Sequence, residues 1–176
     1  MIARGLLMIE HRLIEKMLIL AKTKVDLMNK ENYNATVIDN IVDFIKMYAD
    51  RTHHGKEEDI LFKKLESKTL NQKDKIIMNE LIDEHRQARL KVGEIVKLNN
   101  EYKNGNKNIV AQIKEIISWL GVFYPVHIKK EDKIFFPNAD TYFNDNELNE
   151  MLKDYYDFDA KMIHEKYNNL YKELIQ

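Results

Sequence analysis

His54-Gly55-Lys56-Glu57-Glu58-Asp59-Ile60-Leu61-Phe62 and His127-Ile128-Lys129-Lys130-Glu131-Asp132-Lys133-Ile134-Phe135 are two copies of one pattern: a His stands four residues before a Glu and eight before a Phe. On an α-helix, side chains four apart lie one turn above another on the same face, so each copy aims an imidazole and a carboxylate at one point. The pattern predicts a helix at both places. Two such pairs facing each other across a helical bundle predict a metal site between them.

The surrounding sequence supplies the rest of the bundle. Apolar residues recurring every three or four positions predict five helices. The first spans about 2–28, with Leu7, His11, Ile14, Leu18, Ala21, Val25 and Met28 facing inward. The second spans about 36–65 on the stripe Met47, His54, Glu58, Leu61 and Leu65, interrupted by Arg51. The third spans about 71–102 on Met78, Leu81, His85, Ala88, Val92 and Val96, and the Asn104-Gly105-Asn106 cluster turns the chain after it. The fourth spans about 108–135 on Ile113, Ile116, Leu120, Phe123, His127, Glu131 and Ile134, with Pro137 expected to stop it. The fifth spans about 145–174 on Leu148, Met151, Tyr155, Phe158 and Met162, with Asn144 and Glu147 spaced as a capping pair. No linker interrupts the series. The expected architecture is all-α: one domain over 1–176, with an antiparallel up-down four-helix bundle over about 2–137 and an additional C-terminal helix over about 144–175.

Composition agrees and narrows the function. The 176 residues are 44% hydrophobic and 32% charged, with five Gly and two Pro, which suits long helices around a real core. A formal net charge of -1 gives no field for a polyanion, so nucleic acid is not an expected partner. The chain has no Cys, which removes disulfides and thiolate ligands and fits a reducing cytoplasm. The apolar start, Met1 to Leu7, is broken by Arg4 and soon followed by Glu10, His11 and Arg12, too short for a membrane segment.

Residues of an antiparallel hairpin are level when they lie equally far from its turn. With turns near residues 31, 70 and 105, His11, His54, His85 and His127 differ in height by only a few Å at about 1.5 Å of rise per residue. Four helices therefore bring one inward His each to a common layer. A lone inward His is ordinarily a core residue with one hydrogen-bond partner. Four His with Glu58 and Glu131 at one level, unpaired, would each cost roughly several kcal/mol of burial, which a metal removes by taking the lone pairs and balancing the carboxylates. Imidazole and carboxylate without thiolate suit iron, manganese or zinc. Six donors exceed one four-coordinate zinc, and carboxylates can bridge, so a dinuclear site fits better, with water, hydroxide or oxide completing the shell.

These residues carry a family resemblance. An early His11, the stretch Ala49-Asp50-Arg51-Thr52-His53-His54-Gly55-Lys56-Glu57-Glu58, the pair Glu84-His85 and the stretch His127 to Pro137 resemble the hemerythrin-like, cation-binding domains over roughly residues 5–137. The resemblance implies a non-haem di-iron centre of two iron ions in a four-helix bundle. His11, His54, His85 and His127 would be terminal ligands, and Glu58 and Glu131 bridging carboxylates. It also implies dioxygen, peroxide or nitric oxide as small-molecule partners, for sensing, storage or protection. The oxygen carriers of that family have a second His one turn after the helix-three ligand, where this chain has Arg89. Arg holds no free lone pair, so the expectation is an ion with fewer protein ligands and an Arg89 paired to Glu58, Glu131 or an anion. The carriers' fourth-helix carboxylate falls at Asp132, but the repeated spacing favours Glu131.

His53 lies at the edge of the buried face and could be a further ligand or support one, Tyr124 is placed near the metals, and His164 is expected at the surface. Lys56, Glu57, Lys129 and Lys130 are expected mainly in solvent. Three functions follow: a di-iron module binding dioxygen or a related ligand, a di-iron enzyme acting on peroxide or nitric oxide, or a helical module with a structural metal. No protein partner can be read from the sequence.

Overall fold

The computed structural model describes residues 3–174, and the chain there forms five helices and no strand. Helix α1 is Ala3–Asp26, α2 spans 35–66, α3 is Gln72–Lys103, α4 is Lys107–Asp140 and α5 is Asp145–Leu174. Side chains fix the ends. Asn34 and Asn71 cap α2 and α3 by accepting from the backbone N–H of Val37 (3.2 Å) and Asp74 (2.9 Å). Gly105, at φ 102°, takes the left-handed conformation that ends α3, with the Asn106 N–H reaching back to the Glu101 carbonyl at 3.0 Å. Asn144 and Glu147 form the expected reciprocal cap of α5, at 2.9 and 3.0 Å.

Two local features depart from the sequence reading. Pro137 does not stop α4, which runs on to Asp140. The stretch Glu131–Phe135 just before it is π-wound, and Pro137 then falls in the first turn of the α-helical piece Phe136–Asp140, where its missing N–H matters least. Helix α2 is likewise π-wound over Ile45–His54 and Glu57–Phe62. By length and composition α4 could cross a membrane, yet here it forms a wall of the core.

Helices α1 to α4 make the antiparallel bundle, and α5 packs against α1 and α2. The buried apolar residues fall into two clusters. One holds Ile14 to Val25 of α1, Ile38 to Ala49 of α2, Ala88 to Ile95 of α3 and Ile113 to Leu120 of α4. The other holds Ala3 and Leu7, Leu61 to Leu65, Ile77 to Leu81 and Phe135 to Ala139, with Met151 and Tyr155 of α5. Between them lies a buried polar layer of His11, His53, His54, Glu57, His85, His127 and Glu131. The chain thus encloses charge-bearing groups between two oily ends.

Candidate metal centre

The layer resolves into two ligand groups. His11, His53, Glu57 and Glu131 each offer a donor atom to one point, and His54, His85 and His127 to another, the atoms of each group lying within 4.8 Å of one another. Both carboxylates reach both groups. Glu57 turns Oε1 to His53 Nε2 and Oε2 to His85 Nε2, each at 3.4 Å. Glu131 turns Oε2 to His11 Nε2 (3.1 Å) and Oε1 to His127 Nε2 (3.3 Å). One oxygen toward each group is the geometry of a bridging carboxylate.

The atoms that point inward lack partners. Among the described residues, the buried side-chain atoms without a hydrogen bond are His85 Nε2, His127 Nε2 and both oxygens of Glu57 and of Glu131, together with His54 Nδ1, which instead faces Asp50 Oδ1 3.4 Å away. His11 Nε2 and His53 Nε2 stand only 2.8 Å apart. Such an arrangement is unfavourable for protein alone, since buried polar groups are otherwise satisfied, and it fits a donor set built around cations. Burial, then the neighbouring Glu131, pushes the Glu57 carboxyl well above its ordinary value. Burial opposes ionisation of Glu131 too, but His127, His11 and His85 outweigh it and hold that carboxyl well below the usual range. Burial and then His85 push the His54 imidazole down to about 3, and burial and then His11 push His53 well down. At His11 and His85 burial acts the same way but is outweighed by carboxylates: Asp132 and Glu131 raise His11 to about 9, and Glu131 and Glu58 raise His85. A metal takes the neutral imidazole, so a cation entering the layer would displace the protons that these carboxylates otherwise hold on His11 and His85.

A second tier orients the first. His11 Nδ1 bonds to Asp132 (2.8 Å), His53 Nδ1 to Glu10 (2.9 Å), His85 Nδ1 to Glu58 (2.7 Å) and His127 Nδ1 to Glu84 (2.8 Å). A carboxylate at Nδ1 fixes that nitrogen as the donor and leaves the Nε2 lone pair for the metal. Each carboxylate is in turn held by a cation: Asp132 by Arg12, Glu10 by Lys56, Glu58 by Arg89 at 2.8 Å and Glu84 by Lys130 at 2.6 Å.

The pairings repeat. His53 follows His11 by 42 residues and His127 follows His85 by the same interval; Glu10-His11 is matched by Glu84-His85, and Lys56-Glu57-Glu58 by Lys130-Glu131-Asp132. The two halves exchange supports, Glu58 holding His85 and Asp132 holding His11. The doubled pattern is therefore registered on His53 and Glu57, one residue before the reading that paired His54 with Glu58.

This register corrects several expectations. His11, His85, His127 and Glu131 sit in the buried layer as expected, and so does His54. Glu58 does not face the centre: its side chain is 27% exposed and supports His85 from outside, while Burial is outweighed by His85 and Arg89, which hold its carboxyl down to about 2. Glu57 and Lys56, expected in solvent, are fully buried, and His53 is a full member of the layer. The cause is the π-winding of α2, whose wider turn breaks the phase extrapolated from an α-helix. Within the π-wound stretch Ile45–His54, His54 comes inward beside His53, and both are buried.

Arg89 does not leave the three-histidine group short, because His54 adds a third imidazole from α2. Its guanidinium bridges Asp50 (2.7 Å) and Glu58 at the rim. It borders a cavity of about 410 Å³ walled by Ile45, Ala88, Val92, Val96 and Tyr124 that reaches His54. Tyr124 is buried and stacks beside the His54 ring, and His164 is exposed. The sequence held a signal for the missed residues: the shared 42-residue interval and the paired Glu-His dipeptides.

A family model described as "Hemerythrin HHE cation binding domain" matches residues 4–139. Searches for similar curated proteins and for similar solved structures found no match.

Proposed function

Because the chain belongs to the hemerythrin HHE cation-binding domain family, we propose that it is a non-haem di-iron protein that binds dioxygen or a related small ligand. The observation that carries the reading is the division of two carboxylates between two histidine groups, with one oxygen of Glu57 and one of Glu131 toward each. His11 and His53 would hold one ion and His54, His85 and His127 the other, with Glu57 and Glu131 bridging. All-nitrogen and oxygen donors at this count suit six-coordinate iron better than four-coordinate zinc. Four protein donors on one side and five on the other leave positions for solvent and for a ligand. Bound iron would supply reversible electron transfer to that ligand.

The protein's own groups would do the rest. The five imidazoles would hold the ions as neutral ligands, the carboxylates at Nδ1 of His11, His53, His85 and His127 fix those rings, and the cavity beside His54, apolar along Ile45, Ala88, Val92, Val96 and Tyr124 and charged at Lys46, Asp50 and Arg89, would give a small uncharged molecule a path toward the centre. The test is metal analysis of protein purified without added metal, joined to optical spectra of its oxidised and reduced forms. Two irons per chain, with oxo-bridge charge-transfer bands that change when the reduced protein meets dioxygen, are expected. One zinc and no visible band would overturn the reading.

A further inference from the structure

Helix α5 lies outside the matched residues 4–139, yet Asp159 on it touches the Lys56 that supports the histidine layer. The Lys56 ammonium is fully buried between two carboxylates, Glu10 of α1 and Asp159 of α5, the latter at 2.6 Å. Glu10 carries the contact inward by accepting from His53 Nδ1 at 2.9 Å. One residue earlier the two helices approach closely again: a Cβ on Gly55 would stand 2.8 Å from the tip of the Phe158 ring. Two consecutive contacts, 55 with 158 and 56 with 159, therefore clamp α5 onto the turn of α2 that bears His53, His54 and Glu57.

The internal repeat provides the comparison. Lys130, the counterpart of Lys56, supports Glu84 and His127 in the same way, but it is 22% exposed and its second carboxylate is Glu80 of α3. Arg12 and Arg89 are exposed further, at 51% and 37%. Water can thus stabilise three of the four supporting cations. Lys56 has no such recourse, and a buried ammonium needs carboxylates placed around it to remain charged. Its second one comes from α5.

We propose that Asp159 is a positioning residue for the two-histidine half of the centre, acting through Lys56 and Glu10 on His53, so that docking of α5 and occupancy of that half by metal favour each other. The proposal rests on the two-ion reading above. Without Asp159, Lys56 is drawn wholly to Glu10, the Glu10–His53 contact loosens, and the imidazole loses its fixed orientation. Removal of an outer support commonly weakens a metal site about 10–100-fold, and one step further out the effect belongs at the lower end. Linkage is reciprocal, so metal must also tighten α5.

The full-length protein is loaded anaerobically with iron(II), its stoichiometry is measured, and release to a strong chelator is followed for wild type, Asp159→Asn, Asp159→Glu and Asp154→Asn. Asp154 pairs with Lys64 at 2.9 Å, holding α5 at a point that does not lead to a ligand. The expected result is that Asp159→Asn releases one of its two irons about 10-fold faster and the other unchanged, that Asp159→Glu largely restores the slow rate, and that Asp154→Asn behaves as wild type. Hydrogen exchange of α5 amides should slow on iron loading in wild type and not in Asp159→Asn. Equal acceleration by Asp154→Asn, or no selective loss in Asp159→Asn, would overturn the proposal. If Asp159→Asn fails to fold, Gly55→Ala, which displaces Phe158 beside Asp159, must show the same selective loss. A stoichiometry below two in the wild type would instead strike the two-ion reading.

Discussion

At the residue scale, Glu57 and Glu58 are neighbours with opposite fates. Glu57 is buried with both oxygens unpaired, whereas Glu58 stands at the rim between His85 and Arg89. Substitution should separate them. Glu58→Gln keeps a group able to accept from His85, so the protein should still take up two metal ions, measured by metal analysis after loading. Its effect should appear in acid. His85 and Arg89 overcome burial and lower the Glu58 carboxyl from 4.5 to about 2 in the folded chain. A depressed pKa contributes stability that is present above about 4.5 and is lost as pH falls toward about 2. Acid denaturation of the metal-free protein should therefore show a smaller loss between these values in Glu58→Gln than in wild type. Identical acid profiles would contradict the assigned role.

At the element scale, the legible features were those governed by ordinary α-helical geometry. The stripes through Leu7, His11 and Leu18, through Leu81, His85 and Val92, and through Leu120, His127 and Glu131 follow an α-helical period, and so the sequence places them correctly. The Asn144 and Glu147 cap was equally legible because it depends only on a three-residue spacing. Helix α2 was not legible between Ala49 and Phe62, since nothing in its composition announces π-winding. There the phase slips by one residue, and Glu57 replaces Glu58 at the centre. Two predictions belong to these elements. Deleting Thr52 shortens the π-wound stretch Ile45–His54 by one residue, which should let the helix return to α-winding with one inward His in place of two. Metal binding by the deletion variant, followed by titration, should then show one of the two sites weakened. Two undiminished sites would separate the π-winding from the recruitment of His54. Asn144→Ala removes the cap of α5 and should lower stability by about 1 kcal/mol in denaturant melts while leaving metal stoichiometry unchanged.

At the scale of the whole molecule, the two apolar clusters cannot be joined into one core because the histidine and glutamate layer divides them. In the metal-free chain that layer is a cost: buried lone pairs are unmet and two carboxylates compete for a proton, with Glu57 pushed upward by burial and by Glu131. Metal binds the folded layer and not the dispersed ligands of the unfolded chain, so its binding free energy adds to folding stability. The sign of a site substitution must therefore depend on metal. Glu57→Gln removes one buried carboxylate and keeps its shape, which should raise the melting midpoint above wild type in excess chelator. On the two-ion reading the same change removes a bridging donor, so with metal present the variant should melt below wild type. Thermal melts of both proteins, with iron(II) and with chelator, test the crossing directly. A variant that melts lower under both conditions would mean that Glu57 is held by the fold for its own hydrogen bonds and not for a cation, and the central role assigned to the layer would fail with it.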